Sequence, residues 1–246
     1  MNAKSLIIGT LLILLALNTK TEVNVNAAES DYRMLGQQTA DTIPEDIETD
    51  SMARLPQVQR NELDVVGQNA FDTYVSPGTG YGAGLRGPIG MLMHSPVLAE
   101  ALFDVRQRVR YGTPKDQRLT ELTIISTARE INNQYEYSAH EPLAITAGLE
   151  REIIDIVRYR KDLNDLGTID GFGETEQTIV RFTRELVSEE KVSAEVFASA
   201  VAIFGHEGVA DITGLVGYYS FIAITLKAFD VQRAIGSELL LPVLNN

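Results

Sequence analysis

The chain has no cysteine in its 246 residues. That removes disulfides, thiolate metal sites and every mechanism that runs through a protein thiol. Positive charge is scarce: 21 Lys and Arg stand against 34 Asp and Glu, a formal charge of −13. Nucleic-acid binders carry basic surface, so the balance argues against that class, and equally against an electrostatic grip on anionic lipid. Strand-like alternation is missing, and so is any internal repeat. The glycine-rich stretch Ser76 to Gly90, SPGTGYGAGLRGPIG, lacks the Lys-Ser/Thr ending of a phosphate loop, which argues against a nucleotide site. Its glycines suit a tight turn or a lid over a pocket. Histidine is rare as well, with three in the chain: His94, His140 and His206.

What is present is enough for one globular domain with a tail. Hydrophobic residues make up 44% of the chain, and the length allows a sizeable buried core. The first residues read as an export signal over 1–27. Lys4 gives a positive start, Ser5 to Leu17 is an apolar run too short for a comfortable membrane span, and small residues around Ala27 and Ala28 suit cleavage. The expected product is periplasmic or secreted, with no membrane attachment after cleavage. Residues 28–61 read as an irregular, exposed acidic arm, with its charge concentrated in DTIPEDIETD (Asp41 to Asp50).

From 62 to 246 the pattern is helical. Glu62 to Tyr74 suits a first helix. Ser95 followed by Pro96 is a helix start, and Val97, Leu98, Ala101, Leu102, Val105 and Val109 repeat at helical spacing behind it. Leu119, Leu122, Ile125 and Ala128 mark the next helix, which Asn132-Asn133 breaks. Gln134 to Ala147 is a third, with Gly148 as its C-terminal cap. Pro142 predicts either a kink in that helix or a boundary near it. Leu149 to Tyr159, Glu174 to Ser188 and Ser193 to Phe204 follow. Gly208 to Phe229 reads as a core or subunit-contact helix, with Gly214 and Gly217 letting a neighbour approach.

One stretch carries the chemistry: LTELTIISTAREINNQYEYSAHEPLAITAG, Leu119 to Gly148. Glu136 and His140 are four residues apart, on one helix face. Glu121 sits on the preceding helix. Two carboxylates and an imidazole can move protons at neutral pH. The same spacing also fits an ordinary exposed pair worth only ~0.3–0.5 kcal/mol. A divalent metal on the three side chains is a further alternative.

RGPIGMLMHSPVLAEAL, RLTELTIISTAREINNQYEYSAHEPLAITAGL and GHEGVADITGLVGYYSFIAITLKAF together resemble the carboxymuconolactone decarboxylase family, which includes the alkylhydroperoxidase D-like proteins. The likeness spans roughly Arg54 to Val231. It implies an all-α, alkylhydroperoxidase D-like fold, assembly as trimers or hexamers, and no cofactor or metal. The peroxidase branch carries a Cys-x-x-Cys pair where this chain has Asn133 and Glu136, so a thiol peroxidase cycle is excluded. The cysteine-free branch is implied instead, with acid–base chemistry on a small organic acid or lactone: decarboxylation, isomerisation or dehydration.

On that reading His140 transfers the proton, Glu136 orients its ring or raises its basicity, and Glu121 completes a relay. Arg129 is a candidate to hold a substrate carboxylate, Tyr135 and Tyr137 to line the pocket, and His94 to assist. The competing reading is a non-catalytic exported binding protein on the same fold. A buried pocket joining Glu121, Glu136 and His140 favours the enzyme; a solvated Glu136–His140 pair favours the binding protein.

Overall fold

The computed structural model describes residues 43–242, and these are mostly helical. The predicted export signal and the first part of the acidic arm lie outside the described residues. Among the described residues a short 3-10 turn, Arg60–Glu62, precedes eight α-helices: α1 (Val65–Val75), α2 (Gly87–Leu92), α3 (Pro96–Tyr111), α4 (Gln117–Glu130), α5 (Gln134–Thr146), α6 (Arg151–Arg158), α7 (Glu174–Ser188) and α8 (Ala194–Ala228). Among the described residues the only β-pairing is one isolated bridge, Glu48 to Ala53.

Short polar side chains set several helix starts. Asp64 accepts from the Gly67 amide, Asp116 from Leu119, Asn133 from Glu136 and Ser193 from Val196. Each satisfies an amide that the helix itself leaves open. The Asp64 cap begins α1 at Val65, three residues later than the periodicity predicts. Asn132 takes a positive φ of 53° between α4 and α5, and the turn there brings the two helices side by side.

Helix α4 is the centre of the fold and packs against α5, α6, α7 and α8. All ten of its residues from Thr120 to Arg129 are buried. One core lies to its side among α1, α2, α3 and the second half of α8, built on Tyr74, Met91, Met93, Leu215 and Ile222. A second lies among α4, α5, α6 and α7, built on Leu122, Ile125, Tyr137, Ile153 and Ile179. The catalytic candidates on α4 and α5 sit between these two cores.

Three expectations change. The acidic arm is not wholly exposed: Ile47, Ala53 and Val58 are buried. Its backbone is tied to the end of α8, because the Arg54 amide donates to the Phe229 carbonyl and the Gln232 amide to Met52. The apolar stripe of α3 mostly faces outward. Val97, Leu98 and Val105 are exposed, while Ala99, Arg106 and Val109 turn inward. Finally, the two expected helices after Ser193 form one run, broken at Gly205, whose φ of 68° no ordinary helix residue adopts.

Helix α8 is long and apolar enough to cross a membrane by length and composition, yet a little over half of its most apolar stretch is buried in the protein. It packs against α2, α3, α4 and α7. Of its two predicted contact glycines, Gly214 does meet α3: a Cβ there would lie 3.1 Å from Val109 Cγ1. Gly217 faces open space.

Candidate active site

Glu121, Glu136 and His140 come together and all three are buried, at 3%, 4% and 6% exposure. Glu121 projects from the middle of α4. Glu136 and His140 project from one face of α5, one turn apart. The His140 Nδ1 lies 2.7 Å from Glu121 Oε2. On the other edge of the ring, Nε2 lies 3.5 Å from Glu136 Oε2. The far oxygen of Glu121, Oε1, accepts from Arg110 Nη2 at 3.0 Å. The Tyr219 ring stands edge-on to the imidazole, with centroids 5.0 Å apart.

The order is therefore Arg110, Glu121, His140, Glu136. The closer contact to the ring comes from Glu121 and not, as the spacing suggests, from Glu136. Glu121 is the group at hydrogen-bond distance from Nδ1, and Glu136 lies beside the other nitrogen. A carboxylate at Nδ1 makes that nitrogen the N–H donor, which leaves the Nε2 lone pair to accept a proton.

The environments push the two carboxyl groups apart. Burial opposes charge on Glu121, but the hydrogen bond from His140, then the charges of His140 and Arg110, outweigh it and hold Glu121 below the ordinary 4.5. Burial dominates at Glu136 and raises it above the ordinary value; the attraction of His140 and Arg110 only partly offsets this, and Glu121 adds to the rise. One carboxyl is thus a fixed anion and the other retains its proton more readily. Such a split is the pattern expected where one carboxyl acts as an electrostatic partner and the other as an acid.

Glu136 and His140 open on a cavity of about 170 Å³. Its wall also includes Tyr81, Arg86, Arg106, Arg110, Tyr135 and Tyr219. Glu121 stands behind His140 rather than in the wall. The predicted lid stretch does border the cavity, through Tyr81, Arg86 and Pro88. Gly87 is needed there, since its φ is 62° and a Cβ would meet Tyr135 Oη at 2.7 Å. Burial pushes the Tyr135 hydroxyl up to about 12 and Tyr219 well above its ordinary value, so both stay neutral donors at physiological pH.

Three residues named from the sequence lie elsewhere. Arg129 donates to the carbonyls of Pro242 and Arg158 and to the Asn132 side chain, so it is not at the cavity. Eight residues at 3.6 per turn rotate it by about 80° from Glu121 on α4. Tyr137 is fully buried in the second core, because two residues along α5 turn it about 200° from Tyr135. His94 is exposed and its Nε2 lies 2.9 Å from the Pro56 carbonyl, beside a separate surface hollow. Sequence reading missed Arg106, Arg110, Tyr81, Arg86 and Tyr219. The i, i+4 pair Arg106 and Arg110 was a usable signal, since two arginines one turn apart interrupt the apolar pattern of α3.

Among the described residues no group of three or more His, Asp or Glu side chains is arranged to hold a metal ion. No family model, no curated protein and no solved structure matches the chain.

Proposed function

We propose that this protein is an acid–base enzyme that moves a proton at carbon in a small organic acid or lactone, using the His140–Glu136 pair. The observation that carries the reading is the buried His140 imidazole, held at Nδ1 by Glu121, with Glu136 beside Nε2 and both His140 and Glu136 lining a cavity. The likeness of its central block to carboxymuconolactone decarboxylases supports the same class.

The chemistry follows from the two nitrogens. The Glu121 carboxylate fixes the ring and stabilises positive charge on it when Nε2 takes a proton. Glu136 supplies or receives that proton across the shared edge. In an isomerisation, the pair removes a proton from carbon beside a carbonyl and returns it to a second carbon. In a decarboxylation, the bond to the departing carbon dioxide leaves its electron pair on an unsaturated carbonyl system. The resulting dienolate then takes a proton at carbon from the pair. In a dehydration, the pair takes the proton from carbon and gives one to the leaving hydroxyl. Each form needs proton placement and charge stabilisation, which are the properties of this cavity.

The assembled reading also includes export, from the Lys4, Ser5 to Leu17 and Ala27 pattern, and a homo-oligomer, trimer or hexamer. The exposed α3 stripe around Leu98 and Val105 is the apolar surface such an assembly would cover.

Incubation in D₂O with a panel of small unsaturated lactones and enoic acids tests the reaction class. The wild type should catalyse deuterium incorporation at an acidic C–H. His140→Gln should slow it by about 10²–10⁴-fold with the fold intact. No incorporation across the panel, or an unchanged rate in His140→Gln, contradicts the proposal.

A further inference from the structure

The cavity wall carries more positive charge than the proton-transfer pair requires. Arg110 is matched by Glu121. Arg106 has no such match. It is 3% exposed, and no Asp or Glu among the described residues lies within ion-pair distance of it. Its Nη2 donates to the Thr79 carbonyl at 3.0 Å and to Tyr111 Oη at 3.3 Å. Its Nη1 is buried and has no hydrogen-bond partner. The rings of Tyr81 and Tyr111 flank the guanidinium, with centroids 5.1 and 5.2 Å from Cζ. Aromatic faces offset some of the lost hydration of a cation but give no acceptor to an N–H.

A buried guanidinium without a carboxylate is rare because the charge is poorly solvated and an open N–H is costly. Here the residue lines a cavity, and an anion that reached the guanidinium from it would remove both defects. Arg86 adds a second cation to the same wall; it is exposed and makes no side-chain ion pair among the described residues. The segment that carries Tyr81 and Arg86 is rich in glycine, with positive φ at Gly78, Gly80 and Gly84. The cover over Arg106 is therefore a loop and not a helix.

We propose that Arg106 is the carboxylate anchor of the cavity: the substrate is a small carboxylate, drawn in past Arg86, that accepts the free Nη1 hydrogen of Arg106 and so places its reacting carbon beside His140. The assignment replaces Arg129. It rests on the reading of the cavity as a substrate site, but it concerns binding and is testable without turnover. It makes the substrate an acid, or a lactone that carries one, and disfavours a neutral lactone.

Crotonate and crotonamide are a matched pair of small probes that differ in charge. Ligand-observed NMR titration of the wild type should show crotonate binding at least about tenfold more tightly, since a charge-assisted hydrogen bond is stronger than a neutral one. His140→Gln should keep that preference. Arg106→Gln should lose it and Arg106→Lys should recover part of it, because lysine restores the charge without the fork. Arg106 also ties Thr79 and Tyr111, so a variant that fails to fold is replaced by a second measurement on the wild type. In a crystal soaked with crotonate, a carboxylate oxygen should lie within hydrogen-bond distance of Arg106 Nη1. Equal binding of acid and amide, or a carboxylate seated away from Arg106, overturns the anchor. Deuterium exchange on neutral lactones together with equal binding would sink the anchor and leave the proton-transfer reading standing. Preferential crotonate binding with no exchange on any acid would do the opposite.

Discussion

Glu121 and His140 lie nineteen residues apart on different helices, yet Oε2 of the first is 2.7 Å from Nδ1 of the second. Because α4 is buried along most of its length, this carboxylate is withdrawn from water and, among the described residues, is answered by His140 and Arg110. It can orient the ring only by holding a charge that is expensive to bury unpaired. The first consequences are therefore for stability.

Glu121→Gln leaves the partly buried Arg110 without its anion. Breaking a buried pair by removing one partner typically costs about 3–5 kcal/mol, so urea unfolding at neutral pH should show a loss of that order. The sign with pH follows from the lowered value of Glu121. The folded state releases its proton more readily than the unfolded chain, so the stabilisation is present above the ordinary 4.5 and is lost as pH falls through the folded value. Wild-type stability should drop steeply on that acid side, and Glu121→Gln should drop less. Parallel slopes for the two proteins would refute the assignment.

Glu136 behaves in the opposite sense. Its raised value means that the folded state binds a proton which the unfolded chain has already released above 4.5. Stability is full below 4.5 and declines as pH rises through the folded value. Glu136→Gln should remove that decline, and at pH 7 it should be as stable as the wild type or more so while its exchange rate falls. A variant clearly less stable than wild type at pH 7 would show that the carboxylate is a structural partner.

The architecture was largely readable in the sequence because caps and helical spacing are local signals. Asn132-Asn133, Gly148 and the Glu136–His140 spacing each act within a few residues. The site was readable only in part. Glu121, Glu136, His140 and Tyr135 could be named, but the partner of each ring nitrogen depends on how α4 and α5 pack, which spacing does not encode. Arg129 and Tyr137 failed for a simpler reason, since their rotation about the helix axis turns them from the residues they were grouped with. The α3 stripe misled in part because an apolar row can face outward, as Val97, Leu98 and Val105 do, while Val109 of the same stripe turns inward beside Arg106.

Gly87→Ala should disturb the cavity wall without reaching the proton-transfer pair. The positive φ costs a β-carbon roughly 1 kcal/mol, and the new methyl meets Tyr135 Oη. A Tm fall of a few degrees and a displaced Tyr135 ring are expected. An unchanged Tm and Tyr135 position would show that the backbone relaxes freely there.

An oligomer through α3 predicts that Leu98→Asp combined with Val105→Asp lowers the mass measured by light scattering. Both side chains are more than 40% exposed, so the changes should cost the isolated chain little. A wild type that is monomeric at micromolar concentration, or a double variant of unchanged mass, contradicts this surface.

The central claim is that Glu121 holds His140 with Nε2 open to the cavity, and the histidine tautomer reads it directly. With three histidines in the chain, a ¹⁵N-histidine NMR spectrum is simple to assign from single substitutions. In the neutral form His140 should carry its proton on Nδ1, where Glu121 accepts it. His94 should show the opposite tautomer, because its Nε2 donates to the Pro56 carbonyl. Glu121→Gln should weaken the Nδ1–H preference of His140 and leave His94 unchanged. A proton on Nε2 of His140 in the wild type, or a rapid mixture that Glu121→Gln does not alter, would contradict the account.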